Sequence, residues 1–173
     1  MGKDLPIVRQ LLASEFDAAL LKGRQNYVCP LRLRRAMDQV GDLFTTSERE
    51  ELMEIWKWAE ATRDGTRSDL DFEPAHKVWL QVCSESHICT QRTCGPRGNC
   101  FYQEAKKRAM KATVLVVNHS LFFSLLNPEE ELLEGEKGFL VPNDFVIFDI
   151  WCSLYYHVKL NIVVKSLMSK TTI

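Results

Sequence analysis

Cys83, Cys89, Cys94 and Cys100 fall within eighteen residues, and Cys29 lies upstream in the run Gly23-Arg24-Gln25-Asn26-Tyr27-Val28-Cys29. The four clustered thiols are separated by five, four and five residues. Structural zinc sites ordinarily use tight cysteine pairs two to four residues apart, and no Cys-x-x-Cys occurs here. Wider, irregular spacing suits a cubane iron–sulfur cluster, whose irons take ligands from several directions. Zinc remains the alternative. Buried core cysteines are disfavoured, because Ser84, Glu85, Ser86, Thr90, Gln91 and Arg92 between them are polar. In a chain that reads as cytoplasmic, clustered thiols stay reduced and serve as metal ligands more often than as disulfides.

The elements that must position these thiols are short. Leu5 to Leu21 alternates between helical and extended character: Ile7, Leu11, Leu12 and Phe16 suit a short helix, and Ala18-Ala19-Leu20-Leu21 a buried strand before Lys22-Gly23. A helix follows Pro30 through Leu31, Leu33, Ala36, Met37 and Val40. Ser47 and Glu50 have capping-box spacing ahead of a helix through Leu52, Ile55, Trp56 and Ala59. Residues 62–74 read as a loop, 75–82 as a helix, and 83–100 as a loop held by whatever its thiols bind. Residues 101–112 form an amphipathic helix with Phe101, Ala105, Ala109 and Ala112 on one face. Val114 to Val117 and Phe145 to Phe148 are short apolar strands, joined through an acidic connector over residues 127–144. This alternation predicts an α/β chain, with a parallel sheet interrupted by a mainly helical, cysteine-bearing insert.

With 46% apolar and 26% charged residues, 173 residues can build one ordinary core. The formal net charge of −1 gives no global basic footprint, so any nucleic-acid contact must come from local patches. No apolar leader follows Met1-Gly2-Lys3-Asp4, and the apolar C-terminal stretch is interrupted by Asp149, His157 and Lys159. Neither a signal peptide nor a membrane span is expected.

Three stretches in consistent order resemble one family: Gly23-Arg24-Gln25-Asn26-Tyr27-Val28-Cys29, then Cys89-x4-Cys94-x5-Cys100-Phe101-Tyr102, then Ala112-Thr113-Val114-Leu115-Val116-Val117-Asn118-His119-Ser120-Leu121. The chain is similar to the first motor domain of iron–sulfur superfamily-two DNA helicases of the DinG/XPD type over roughly residues 3–149. The resemblance implies a partial RecA-like, P-loop-type fold. Residues 1–28 would begin the motor domain, 29–103 form the iron–sulfur insert, 104–149 return to the motor sheet, and 150–173 form an unrelated tail.

It also implies a 4Fe–4S cluster on Cys29, Cys89, Cys94 and Cys100, with Cys83 a substitute ligand. ATP and Mg would serve the intact enzyme, single-stranded DNA would be the partner, movement would run 5′ to 3′, and DNA repair would be the setting. Arg24, Asn26, Arg32, Arg34 and Arg35 near the first thiol, and Lys106, Lys107, Arg108 and Lys111 after the last, could contact phosphates. Tyr27, Phe101 and Tyr102 could offer stacking faces. The plain alternatives are solvated helix faces and packed core. Asn118-His119 at a strand end either caps a turn or shapes a ligand-facing surface.

The chain also departs from the family. No Gly-rich loop ending in Gly-Lys-Ser/Thr is present, although such a loop holds nucleotide phosphates. Val146-Ile147-Phe148-Asp149 matches the approach to an Asp-Glu-Ala-His motif, but Ile150-Trp151-Cys152 follows, leaving Asp149 as its remnant. Residues 150–173 contain no Asp or Glu, whereas all 23 lie before them. A frameshift, truncation or fusion at that point is the simplest expectation. Alone, the chain is expected to lack ATPase activity, unless missing motor segments come from a separate chain. A metal-stabilised nucleic-acid-binding module or an inactive gene remnant are the alternatives to a helicase fragment.

Overall fold

The structure is a computed structural model that describes residues 16–86, 88–89, 99–126, 145–148 and 160–164. Ile7, Leu11 and Leu12 of the expected short helix, the acidic connector, Cys94 and Asp149 lie outside the described residues. The described chain divides into two compact units, with boundaries at Leu21/Lys22 and Lys106/Lys107.

The sheet unit is organised by strand β2 (Val114–Asn118). Its β-branched and aliphatic residues suit a strand, and Leu115, Val116 and Val117 are fully buried. Strand β1 (Ala18–Leu20) runs parallel beside it, with Ala18 opposite Val114. Strand β3 (Phe145–Phe148) forms as its sequence predicts, yet it does not pair with β2. Strand β4 (Leu160–Val164) lies between them, antiparallel to both, giving the order β1-β2-β4-β3.

The expectation of a parallel sheet is therefore corrected to a mixed one. The run Leu160-Asn161-Ile162-Val163-Val164 has strong strand propensity and takes the neighbouring place on β2, in a tail that carried no structural assignment. The described sheet is α/β in character without establishing a RecA-like fold.

The helical unit follows its sequence signals more closely. Helix α1 (Pro30–Asp38) starts with proline in its first turn, where the missing N–H costs nothing, and buries Leu33 and Ala36. A short helix α2 (Val40–Leu43) follows. Helix α3 (Thr46–Ala61) buries Leu52 and Ile55. Its capping box uses Thr45 and Glu48 rather than Ser47 and Glu50. Thr45 holds the extended boundary conformation, and Ser47 already lies inside the first turn.

Helix α4 (His76–Val82) presents Val78, Trp79 and Val82 to the same core, which also takes Val28, Phe44 and Cys83. Helix α5 (Phe101–Lys111) buries Tyr102, Ala105 and Ala109. In the sheet unit, helix α6 (His119–Leu126) is capped by Asn118, whose Oδ1 accepts the Leu121 N–H at 2.8 Å. Asn118 thus takes the capping role of its two sequence readings. Among the described residues, no helix is long and apolar enough to cross a membrane.

The Thr45 cap should be measurable by urea denaturation: Thr45→Ala is expected to cost about 1 kcal/mol. Glu48 adds a pH signature. The Thr45 backbone N–H, and then Lys77, hold its carboxyl below the usual value of 4.5. A depressed folded-state pKa gives stability that is present above that value and lost as pH falls through the lowered one. The stability gap between wild type and Glu48→Gln should therefore be seen at pH 7 and shrink in acid; a gap that widens in acid would contradict the assignment.

Candidate metal centre

Residues 27–29 are stitched to two distant segments by backbone hydrogen bonds. On one side, Val28 N–H donates to Gly65 O (2.9 Å), and Tyr27 pairs with Thr66. On the other, Cys29 N–H donates to Val82 O (2.8 Å), Ser84 N–H donates to Tyr27 O (2.7 Å), and Val28 pairs with Cys83. The extended backbone of Cys29 then turns into α1, and its carbonyl accepts the Leu33 N–H at 2.9 Å. These pairings carry Cys29 to the start of the cysteine loop.

The consequence is a contact between thiols 60 residues apart: Cys29 Sγ and Cys89 Sγ lie 3.3 Å from each other, both buried. Cys89 Sγ also accepts the Glu85 N–H at 3.3 Å. The hydrogen bond with Cys29 is the main reason that the Cys89 thiol is pulled down to about 5. Cys29 is pushed up, first by that same bond and then by burial.

Cys100, just before α5, is buried, with its carbonyl accepting the Glu104 N–H at 3.0 Å. Burial raises its thiol, and the nearby charge of Cys89 raises it further. Cys83 is engaged differently: its Sγ faces Leu80 O (3.8 Å) and Arg32 Nη1 (3.7 Å).

Among the described residues, no three His, Cys, Asp or Glu side chains converge on a point that would hold a single ion. The donor chemistry nonetheless fits a thiophilic group, with soft, buried thiols and one of them already inclined to the thiolate. Two sulfurs bound to one zinc through bonds of about 2.3 Å sit roughly 3.8 Å apart, so Cys29 and Cys89 must separate to share an ion, and further to bind different irons. A second sign is Ser84. It is fully buried, and among the described residues its Oγ has no hydrogen-bond partner. An orphaned hydroxyl of this kind costs about 1–3 kcal/mol.

Arg32, an expected phosphate contact, is committed inside the protein. Its Nη2 donates to Leu80 O (2.7 Å) and its Nη1 to Cys83 O, satisfying carbonyls at the C-terminal end of α4. The same guanidinium pairs with Glu85 at 3.2 Å and is 12% exposed. It fastens the start of the cysteine loop to α1, and neither spacing nor composition signalled this.

Arg24 is half-buried, donates through Nη1 to Cys89 O (3.0 Å), and lies over the Tyr102 ring at 4.4 Å. Tyr27 packs edge-on against Tyr102 with centroids 5.6 Å apart, and its hydroxyl accepts the Lys22 N–H. Tyr27 is only 1% exposed, so its ring packs in the core, where the sequence offered it as a stacking face. Asn26 is exposed, with its amide donating to Gly23 O at 3.0 Å. On α5, Lys107 and Arg108 are exposed and Lys106 is half-buried; on α1, Arg34 and Arg35 are exposed. A cleft of about 360 Å³ is lined by Gly23, Arg24, Gln25, Ser84, Glu85 and Ser86.

No family model matches the chain. It is similar to the ATP-dependent DNA helicase YoaA of Haemophilus influenzae, 33% identical over 152 residues, covering 86% of this chain and 23% of that protein. The YoaA helicase of Escherichia coli is 34% identical over 152 residues with the same coverage. The ATP-dependent DNA helicase DinG of Photobacterium profundum is 29% identical over 133 residues, 72% of this chain and 19% of its own length. The chain spans about a quarter of the length of the YoaA relatives.

Gly65 is the hidden support of this site. It has φ +59°, and a Cβ there would lie 2.3 Å from the Phe101 ring. Gly65→Ala is expected to destabilise the protein by about 1–2 kcal/mol for the left-handed backbone and a further ~1–3 kcal/mol for overpacking. A chemical denaturation midpoint equal to wild type would show that the Gly65–Phe101 approach is not as drawn.

Proposed function

The chain is a homologue of the DinG-type ATP-dependent DNA helicases, and from that premise we propose that it is a helicase segment holding a 4Fe–4S cluster through Cys29, Cys89, Cys94 and Cys100. The observation that carries this reading is the meeting of Cys29 and Cys89 across 60 residues at 3.3 Å, inside the stretch matched to the helicases. When bound, such a group supplies a rigid covalent crosslink between the start of α1, the loop after α4 and the start of α5.

The residues around it have separable tasks in this proposal. Arg32 and the Tyr27–Ser84 pairing hold the loop in register, and Arg24 ties the Cys89 carbonyl to Tyr102. The exposed Arg34 and Arg35, and separately Lys107 and Arg108, are the candidates to meet phosphates of single-stranded DNA. Asp149 is proposed as the remaining acid of the Mg-binding motif. ATP hydrolysis and 5′ to 3′ translocation belong to the whole enzyme, to which this chain would contribute the cysteine-bearing part of the first motor domain.

The test is anaerobic reconstitution followed by iron, sulfide and zinc analysis, then binding of labelled single-stranded DNA. About four irons and four sulfides per chain are expected, with broad visible absorption. Cys94→Ser should lose most of the iron and bind DNA about tenfold more weakly, or ~1.4 kcal/mol. A colourless protein with bound zinc, or with no metal, would overturn the cluster. Equal DNA affinity in both proteins would overturn its role in DNA engagement.

A further inference from the structure

We propose that the slot between β2 and β3 is a strand-binding site, filled by residues 160–164 as an exchangeable internal ligand. When those residues withdraw, β3 closes onto β2 as its parallel neighbour.

The register of the sheet points to this exchange. Every residue of β4 except Leu160 serves two partners. Val164 lies opposite Val114 and Phe145, and Val163 opposite Leu115 and Val146. Ile162 lies opposite Val116 and Ile147, and Asn161 opposite Val117 and Phe148. Because β4 is antiparallel to both neighbours, β2 and β3 run in the same direction with no stagger between them. Neighbouring strands stand about 4.8 Å apart, so a sideways move of one spacing brings β3 into pairing with β2. A one-residue slip would turn a strand over, and this move requires none.

Strand composition favours the same exchange. Val114-Leu115-Val116-Val117 and Phe145-Val146-Ile147-Phe148 are uninterrupted apolar runs, the pattern of strands in a parallel sheet. β4 instead places Asn161, a residue type depleted in strands, between Val117 and Phe148. Lys159 and Lys165 bracket it in the chain, and flanking charges of this kind keep an apolar strand soluble when it is unpaired. Residues 149–159 join β3 to β4, whereas tight hairpins use about two to five residues, so β4 can leave without dragging β3 along. Insertion adds main-chain hydrogen bonds on both sides, the mode by which extended peptides join sheets. The filled state therefore dominates, and the emptied one is reached by local opening.

The exchange sets the distance between the C-terminal ends of β2 and β3, about two strand spacings when the slot is filled and about one when it is empty. Under the helicase reading, these are the strands that lead to Asn118 and to Asp149. The exchange itself does not rest on the cluster, so iron-free protein tests it and failure of one reading leaves the other standing.

Amide hydrogen exchange of the full chain, followed by NMR, gives the first readout. A fixed central strand opens together with its neighbours, whereas here residues 160–164 should exchange at least about tenfold faster than Leu115–Val117 through an opening of their own. Equal rates in β2 and β4 would overturn the proposal. Ile162→Pro, which removes a ladder donor from a central strand, should expel β4 while β2 and β3 stay protected and show direct cross-strand contacts between Leu115 and Val146. Loss of protection in β2 and β3 would make β4 an integral strand and overturn the exchange. Should that variant not fold, Asn161→Val decides: it is expected to slow exchange in β4 several-fold and leave β2 unchanged. No slowing, or equal slowing in both strands, would overturn it.

Discussion

The arrangement of the helical unit depends on the pairing of residues 27–29 with residues 82–84. Two backbone hydrogen bonds, Cys29 N–H to Val82 O and Ser84 N–H to Tyr27 O, bring together segments far apart in sequence. Closing a loop of that length has an entropic cost that grows only slowly with length, and the apolar side chains at the junction help offset it. Val28, Val82 and Cys83 all belong to the buried core formed with α1, α3 and α4. The cysteine contact is thus a consequence of core formation: the sulfurs meet because the backbone segments carrying them have been paired.

This order of cause explains the distribution of charge around the thiols. Arg32 is spent on the carbonyls of Leu80 and Cys83 and on Glu85, and Arg24 on the Cys89 carbonyl. Both guanidiniums act as connectors that keep the loop after α4 close to Cys29. Arg34 and Arg35 on α1, and Lys107 and Arg108 on α5, lie on exposed helix surfaces. A helix buries one face and exposes the other, so adjacent basic residues such as Arg32 and Arg34 end in opposite circumstances.

The sheet unit shows how pairing choice can depart from strand content. β1, β2 and β3 form where apolar runs predict them, but β4 takes the place beside β2 and makes the sheet mixed. Strand propensity marks which residues become extended. It carries no information on which extended segment wins a given edge, because hydrogen bonding between strands is nearly independent of side-chain identity.

Sequence by itself determined that the thiols were unusual, that a helical stretch lay between two β segments, and that the ordered motifs matched DinG-type helicases. Residue type and spacing report local periodicity, which was legible in the runs around Cys29 and Cys89. The capping box was legible only in kind, since Thr45 and Ser47 are chemically alike and only the backbone conformation tells which one stands at the helix boundary. Tertiary structure alone decided that Tyr27 is core, that Arg32 locks a helix end, and that Gly65 yields its side-chain space to Phe101. It also decided that the Ser84 hydroxyl is buried with no partner among the described residues. Each of these is a relation between residues distant in the chain, set by packing and by which polar groups are left to satisfy one another, and a one-dimensional pattern does not record such relations.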